Sequence, residues 1–182
     1  MASPLCSPGC VLRSPFSPRS WRPSPDFRQG GSRLVVVDIA DQAVSADPSA
    51  VLVTYSLGSC IGLSLYDPQT RVGGLIHCML PLSSKSPGKA AEKPSMFVDT
   101  GVSLLLQRLF DAGAERHRIV AKLAGGSVML DEDGVFRIGE RNVLVCRKIL
   151  WKNSVRIAAE DTAGREPRTM YLHMSDGTLG SR

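Results

Sequence analysis

The sequence has no apolar run approaching the about 20 residues that cross a bilayer, so no transmembrane segment or membrane insertion is expected. It also lacks the continuous apolar core of a secretory signal peptide. The cysteine count is odd, at five, and Cys6 and Cys10 lie near the amino terminus with no second ligand pair nearby to complete a metal site. A disulfide framework is therefore not expected, and the composition favours a reduced, cytoplasmic setting.

The main part of the chain has almost no net charge. The formal net charge is +5, but residues 1–33 contain five arginines and one acidic residue. Residues 34–182 contain 17 basic and 16 acidic residues and are nearly neutral. This balance gives no basic face of the kind that nucleic acid binding requires, so no nucleic acid partner is expected.

The first 33 residues differ in composition from the rest. They hold six of the twelve prolines together with several serines and arginines. Such a segment buries too little apolar surface to offset the entropy lost on ordering, so we predict that residues 1–33 are a disordered extension. A transit peptide is the alternative, although the prolines oppose the amphipathic helix that it would form. Residues 34–182 are long enough to form a single domain with its own core.

The apolar pattern of the body predicts several strands followed by two helices. Strands are expected at residues 34–39, 51–55, 61–66, 71–80, 118–123, 155–160 and 169–174. Helices are expected at residues 96–112 and 139–152, a β-hairpin at 61–80 and an exposed loop at 82–95. This order predicts an α+β fold with a mixed, mainly antiparallel sheet and two main helices on one face.

One cysteine in the body is notable for its neighbours. The stretch Leu57-Gly58-Ser59-Cys60-Ile61-Gly62-Leu63 places a thiol at the end of a predicted strand, between small residues. A thiol nucleophile needs exposure, a base, and N–H donors for the oxyanion that forms after attack. We interpret Gly58 and Ser59 as residues that let the backbone turn sharply, present Cys60 and leave backbone N–H groups free.

His77 is the candidate base, because the predicted hairpin returns it beside Cys60. His117 lies between a helix and a strand and is expected to be solvent-exposed, whereas His173 lies in a terminal strand. Thr54, on the strand before Cys60, is placed to orient the imidazole, although spacing alone does not establish this role.

Other interpretations of these residues stay open from spacing alone. Cys60 and His77 could both be buried core residues, and a Cys60–His77–Cys78 metal site would lack a fourth ligand. Cys78 and Cys146 are expected to be packing residues. Glycines flank Cys60, and the predicted hairpin joins it to His77. With these two features, a catalytic role for the pair and a core-packing role are equally supported by the sequence.

Short motifs along the body form an ordered set. They are Thr54-x-x-Leu57-Gly58-Ser59-Cys60, Tyr66-Asp67, Gly73-Gly74-Leu75-Ile76-His77-x-Met79-Leu80-Pro81, Asp99-Thr100, Ala121-Lys122-Leu123-Ala124-Gly125-Gly126, Ile138-Gly139-Glu140-Arg141-Asn142 and Ala159-Glu160-Asp161. Across residues 34–175 this set resembles the CheD family of chemoreceptor glutamine deamidases.

The resemblance implies a protein-glutamine glutaminase of bacterial chemotaxis adaptation, a cysteine-dependent hydrolase. Such an enzyme converts glutamine side chains of methyl-accepting chemotaxis receptors to glutamate through a thioester, without a metal or cofactor. It implies Cys60, His77 and Thr54 as catalytic residues. It also implies an α/β sandwich resembling the catalytic domain of cytotoxic necrotizing toxins. Some family members bind the CheC phosphatase, so a non-catalytic adaptor for a CheC-type phosphatase or a response regulator is the alternative function.

One segment departs from the family pattern. The stretch Asp161-Thr162-Ala163-Gly164-Arg165-Glu166-Pro167-Arg168 keeps one glycine where the family usually has a pair, and it adds bulk, charge and a proline. If this loop borders the substrate cleft, we expect it to affect receptor choice or partner binding.

Overall fold

The computed structural model describes residues 31–128 and 137–181. Residues 1–30 of the predicted extension lie outside the described residues. The strands are β1 Arg33–Val36, β2 Gln42–Ser45, β3 Ala50–Leu57, β4 Ile61–Asp67, β5 Val72–Cys78, β6 Val120–Gly125, β7 Arg156–Thr162, β8 Arg168–His173 and β9 Leu179–Ser181. The α-helices are α1 Pro87–Glu92, α2 Val98–Asp111 and α3 Ile138–Lys152.

These strands form two sheets. One has the order β1-β3-β8-β9 and the other the order β2-β5-β4-β6-β7. Only the β1–β3 and β6–β7 pairs are parallel among the described strands, so the predicted mixed and mainly antiparallel pairing is confirmed. The division into two sheets was not predicted, because apolar alternation identifies strands but not their long-range partners.

Side-chain alternation on the five-stranded sheet produces three layers. On β4, Ile61, Leu63 and Leu65 belong to a core with α2 and α3, whereas Tyr66 belongs to the core between the two sheets. Both main helices therefore cover one face, as predicted, and the four-stranded sheet covers the other. The packing role expected for two cysteines is also confirmed, because Cys78 and Cys146 are fully buried in the helix-side core.

The predicted hairpin is present, and the backbone N–H of Arg71 donates to the carbonyl of Asp67 across its loop at 2.8 Å. β4 and β5 pair antiparallel from Ile61 opposite Cys78 to Asp67 opposite Val72. The carboxylate of Asp67 accepts hydrogen bonds from the backbone N–H groups of Gln69 and Thr70 across the turn, at 2.9 and 3.4 Å. The hairpin fixes the register that later places the two candidate catalytic side chains.

Besides the strand β9, which was not predicted, two segments differ from the predicted secondary structure. Residues 42–45, which lie between two predicted strands, form the edge strand β2 against β5. Residues 82–95, predicted as an exposed loop, contain the short helix α1, whose residues are not buried. Both elements are short, and neither carries an apolar period strong enough to identify it from sequence.

Candidate active site

Cys60 and His77 lie at the open end of the hairpin and face the same layer. His77 is directly opposite Gly62, and Cys60 precedes Gly62 by two residues. Residues two apart along a strand share a face, so the Cys60 and His77 side chains form a diagonal pair. The partly buried Cys60 packs against the core between the sheets, which agrees with this direction. The strand register therefore places both residues at the same end of the hairpin and on the same face.

Thr54 reaches His77 from the opposite sheet. Its hydroxyl Oγ1 lies 2.8 Å from Nδ1 of His77 and forms a hydrogen bond with it. Thr54 is on β3 and His77 on β5, so the bond joins the two sheets of the sandwich. Both side chains are buried. The contact holds the imidazole ring in one orientation.

Burial keeps the imidazole of His77 neutral. Removal from water lowers the pKa of His77 to about 4, although the nearby carboxylate of Asp38 acts to raise it. The Nε2 atom is buried and has no hydrogen-bond partner among the residues that the structure describes. When Nδ1 carries the proton and donates to Thr54, Nε2 has a free lone pair. This arrangement leaves a base available at neutral pH.

Cys60 is a thiol at rest. Burial raises the pKa of the Cys60 thiol, while the backbone N–H of the same residue acts in the opposite direction. A thiol with a raised pKa becomes a nucleophile only when a neighbouring base removes its proton. The neutral His77 is the histidine that the fold places on the same face.

The bend at Gly58, Ser59 and Cys60 is held by hydrogen bonds that its three carbonyl groups accept. The carbonyl of Gly58 accepts from the backbone N–H of Ser127, and that of Cys60 from the N–H of Gly126, both at 2.8 Å. The carbonyl of Ser59 accepts from the side-chain amide of Asn142 at 2.9 Å. Three consecutive carbonyl groups thus bond to residues that follow β6 or begin α3.

Glycine is required where the end of β6 passes the Cys60 bend. Gly125 has a φ of +99°, and a Cβ atom there would lie 2.3 Å from the carbonyl oxygen of Cys60. Both the backbone conformation and the close approach exclude a larger residue. In the sequence, Gly125 and Gly126 contributed only to the family resemblance, and no structural role was predicted for them.

Comparison with known proteins gives a family match. A family model described as CheD chemotactic sensory transduction matches residues 79–182. A relative from Solibacter usitatus, named a probable chemoreceptor glutamine deamidase CheD, is 46% identical over 145 residues, which cover 80% of this chain and 86% of the relative. Relatives of the same name from Syntrophus aciditrophicus and Pyrococcus horikoshii are 46% and 42% identical, covering 80% and 81% of this chain and 91% of each relative.

The chain belongs to the CheD family. The resemblance found in the sequence is thereby confirmed. The matched range of the CheD family model begins after Thr54, Cys60 and His77, so their placement is known from the geometry above.

Similarity between this CheD-family chain and solved structures is low. A Neisseria meningitidis protein of the family DUF152 gives a TM-score of 0.43 at 12% identity, covering 83% of this chain and 73% of that protein. The Bacillus licheniformis hypothetical protein YfiH gives 0.45 at 13% identity, covering 79% and 63%. Similarity at this level does not establish a shared topology, and the likeness to cytotoxic necrotizing toxins stays a prediction.

The departing loop of this CheD-family chain contacts the segment that holds the Cys60 bend. The guanidinium of Arg168 donates to the carboxylate of Asp161 at 2.8 Å, to the Ser127 hydroxyl at 2.8 Å and to the Ala163 carbonyl at 2.7 Å. Ser127 is the residue whose N–H binds the carbonyl of Gly58. The altered loop therefore borders the candidate site.

The geometry argues against the alternative metal site. Successive residues on a strand point to opposite faces, and Cys78 is buried on the helix side while His77 lies between the sheets. A Cys60–His77–Cys78 ligand set therefore cannot converge on one ion. The other histidines lie elsewhere: His117 is exposed, as predicted, and His173 is on β8 opposite Val51.

No helix within residues 31–128 and 137–181 is long and apolar enough to cross a membrane.

Proposed function

We propose that the protein is a chemoreceptor glutamine deamidase in which Cys60 is the nucleophile, His77 the general acid and base, and Thr54 the group that orients His77. The observation that carries the proposal is the hydrogen bond between Thr54 Oγ1 and His77 Nδ1, which leaves Nε2 of a neutral imidazole unpaired on the face that Cys60 shares. The names of the relatives, each a probable chemoreceptor glutamine deamidase, supply the substrate class.

In the first step Nε2 of His77 takes the thiol proton of Cys60 as the sulfur attacks the carboxamide carbon of a glutamine side chain. A carbon–sulfur bond forms, and the carboxamide oxygen becomes an oxyanion held by the backbone N–H groups around Ser59 and Cys60. The imidazolium returns its proton to the departing nitrogen. Ammonia leaves and a γ-glutamyl thioester remains on Cys60.

In the second step water hydrolyses the thioester. Nε2 of His77 takes one proton from the water as its oxygen attacks the thioester carbon, and the same oxyanion donors act again. The carbon–sulfur bond breaks, and the sulfur recovers the proton from His77. The product is glutamate, and the enzyme returns to its starting state without a cofactor.

The partner and location follow from the same proposal. The substrate is the cytoplasmic part of a methyl-accepting chemotaxis receptor, which places the enzyme in the cytoplasm. On the family resemblance alone, we propose a CheC-type phosphatase as a second partner. Its binding does not require the thiol, so Cys60→Ala should retain such an interaction while losing deamidation.

The test is direct conversion of receptor glutamines. The protein is incubated with a purified cytoplasmic fragment of a chemoreceptor from the same genome, and peptide mapping by mass spectrometry locates any exchange of side-chain NH2 for OH. Conversion at discrete glutamines supports the proposal. Peptide-bond cleavage would instead indicate a thiol protease, and incorporation of an added amine a transglutaminase. A receptor fragment left unchanged would contradict the proposal.

Thr54→Val is expected to lower the deamidation rate by about 10- to 100-fold at unchanged KM. Valine keeps the shape of threonine but cannot bond to Nδ1, so the imidazole loses the group that fixes its orientation and tautomer. Steady-state kinetics on the receptor fragment measures the effect. Thr54→Ser, which retains the hydroxyl, is the control, and equal losses in the two variants would show that the hydrogen bond is not the cause.

A further inference from the structure

Asn142 is a buried polar residue that the proposed mechanism does not use. It lies at the start of the second turn of α3 and is fully buried. Its side-chain amide Nδ2 donates to the carbonyl of Ser59 and to the carbonyl of Met79, both at 2.9 Å. Ser59 precedes the candidate nucleophile, and Met79 follows the strand that carries His77. One amide thus ties the Cys60 bend to the end of β5.

The bond to Ser59 fixes the direction of a neighbouring N–H group. All peptide bonds among the described residues are trans, and in a trans peptide the carbonyl of one residue and the N–H of the next point in opposite directions. Because Asn142 holds the carbonyl of Ser59 on the α3 side, the N–H of Cys60 points away from α3. That N–H has no backbone acceptor within the described ranges, and it acts to lower the pKa of the Cys60 thiol.

We propose that Asn142 is a positioning residue that aims the backbone N–H of Cys60 at the oxyanion. This inference rests on the proposed attack of Cys60 on a carboxamide. Ser127 holds the preceding peptide and Gly126 the following one through backbone N–H groups. Of the three groups that bind these carbonyls, only the Asn142 amide belongs to a side chain. A substitution can therefore remove it without altering the backbone.

Two reactions of the Cys60 thiol distinguish a role in oxyanion stabilisation from a role in holding the site together. Acylation of Cys60 by p-nitrophenyl acetate passes through an oxyanion, whereas alkylation by iodoacetamide occurs at a saturated carbon and forms none. Asn142→Ala is expected to lower the acylation rate at Cys60 by about 10²-fold, the usual effect of losing one oxyanion donor. The alkylation rate at Cys60 is expected to stay unchanged.

Peptide mapping of the alkylated protein supplies an internal folding control. Cys78 and Cys146 are fully buried, so they should stay unlabelled in any variant that keeps its fold. Asn153→Ala is the matched control, since Asn153 also donates its side-chain amide to a carbonyl, that of Ile149, but at the other end of α3. Its acylation and alkylation rates should match those of the unaltered protein.

Asn142→Asp tests the donor itself in case the alanine variant does not fold. The carboxyl group has the shape of the amide but can donate to the Ser59 carbonyl only when it is protonated. In this variant alone, the ratio of the acylation rate to the alkylation rate at Cys60 should therefore rise as the pH falls. Equal losses of acylation and alkylation, or an unchanged acylation rate in a folded variant, would overturn the assignment. Because both probe reactions need no receptor, they decide the role of Asn142 even where the receptor assay fails.

Discussion

Cys60→Ala is expected to lower glutamine deamidation by about 10⁴- to 10⁶-fold, the loss seen when a nucleophile is removed from residues that act as a unit. Alanine supplies no atom that can form the thioester, so neither ammonia release nor hydrolysis can proceed through the protein. Peptide mapping of the receptor fragment and a direct ammonia assay measure the loss. Cys60→Ser extends the test, because a hydroxyl retains the geometry but is a far weaker nucleophile in a site built around a thiol.

The fold offers a matched control for this substitution. Cys146 is a second free thiol, buried in the helix-side core and distant from the Thr54–His77 hydrogen bond. Burial raises the pKa of Cys146 well above its ordinary value, so this thiol is not a nucleophile. Cys146→Ala should keep full deamidation and lose only stability. Activity that survived in Cys60→Ala but disappeared in Cys146→Ala would show that the nucleophile had been assigned to the wrong sheet face.

His77→Gln is the second substitution with a large expected effect, a loss of about 10²- to 10⁴-fold in deamidation rate. Glutamine can still bond to Thr54 but cannot take and return a proton, and the thiol of Cys60 has a raised pKa that leaves it protonated without a base. Steady-state rates on the receptor fragment test this directly. Full activity in the variant would exclude His77 as the base. His117→Gln, at an exposed histidine in the turn before β6, should behave as the unaltered protein.

The same histidine should control stability in mild acid. Its pKa falls from 6.5 to about 4 on folding because the ring is buried, so between these values the unfolded chain binds a proton that the folded protein does not. The free energy of unfolding should therefore be highest above about pH 6.5 and fall as the pH drops towards 4, by up to about 3 kcal/mol. Urea unfolding across this range measures the effect. His77→Gln should show a shallower decline, and identical pH profiles would contradict the burial of a neutral imidazole.

Much of the candidate site could be predicted from the sequence, because Cys60 and His77 are close together in the chain. The hairpin from Ile61 to Cys78 is short, its turn chemistry is carried by Asp67 and Pro68, and its register follows from alternation. Once the hairpin is known, Cys60 and His77 are expected at the same end of it. The placement of Thr54 was harder to establish, since its strand β3 belongs to the other sheet and nothing in its local spacing specifies the contact with His77.

Sequence reasoning missed the residues that hold the bend. Gly126, Ser127 and Asn142 contact Gly58, Ser59 and Cys60 across more than 60 positions of the chain. Gly126 and Asn142 belong to motifs that carry the family resemblance, but a glycine pair at a strand end and an asparagine in a helical turn have many structural uses. A signal was present in the polarity of Asn142, which lies on the buried side of an otherwise apolar helix face.

The sequence by itself determined the α+β class, the two main helices, and the hairpin that has Cys60 and His77 at one end, because each depends on periodicity or on neighbours a few residues apart. Tertiary structure alone decided that the strands divide into two sheets, that Thr54 meets His77 between them, and that the imidazole is neutral. It also decided which groups hold the Cys60 bend. These features depend on contacts between distant segments and on removal of charge from water, neither of which is encoded in the spacing of nearby residues.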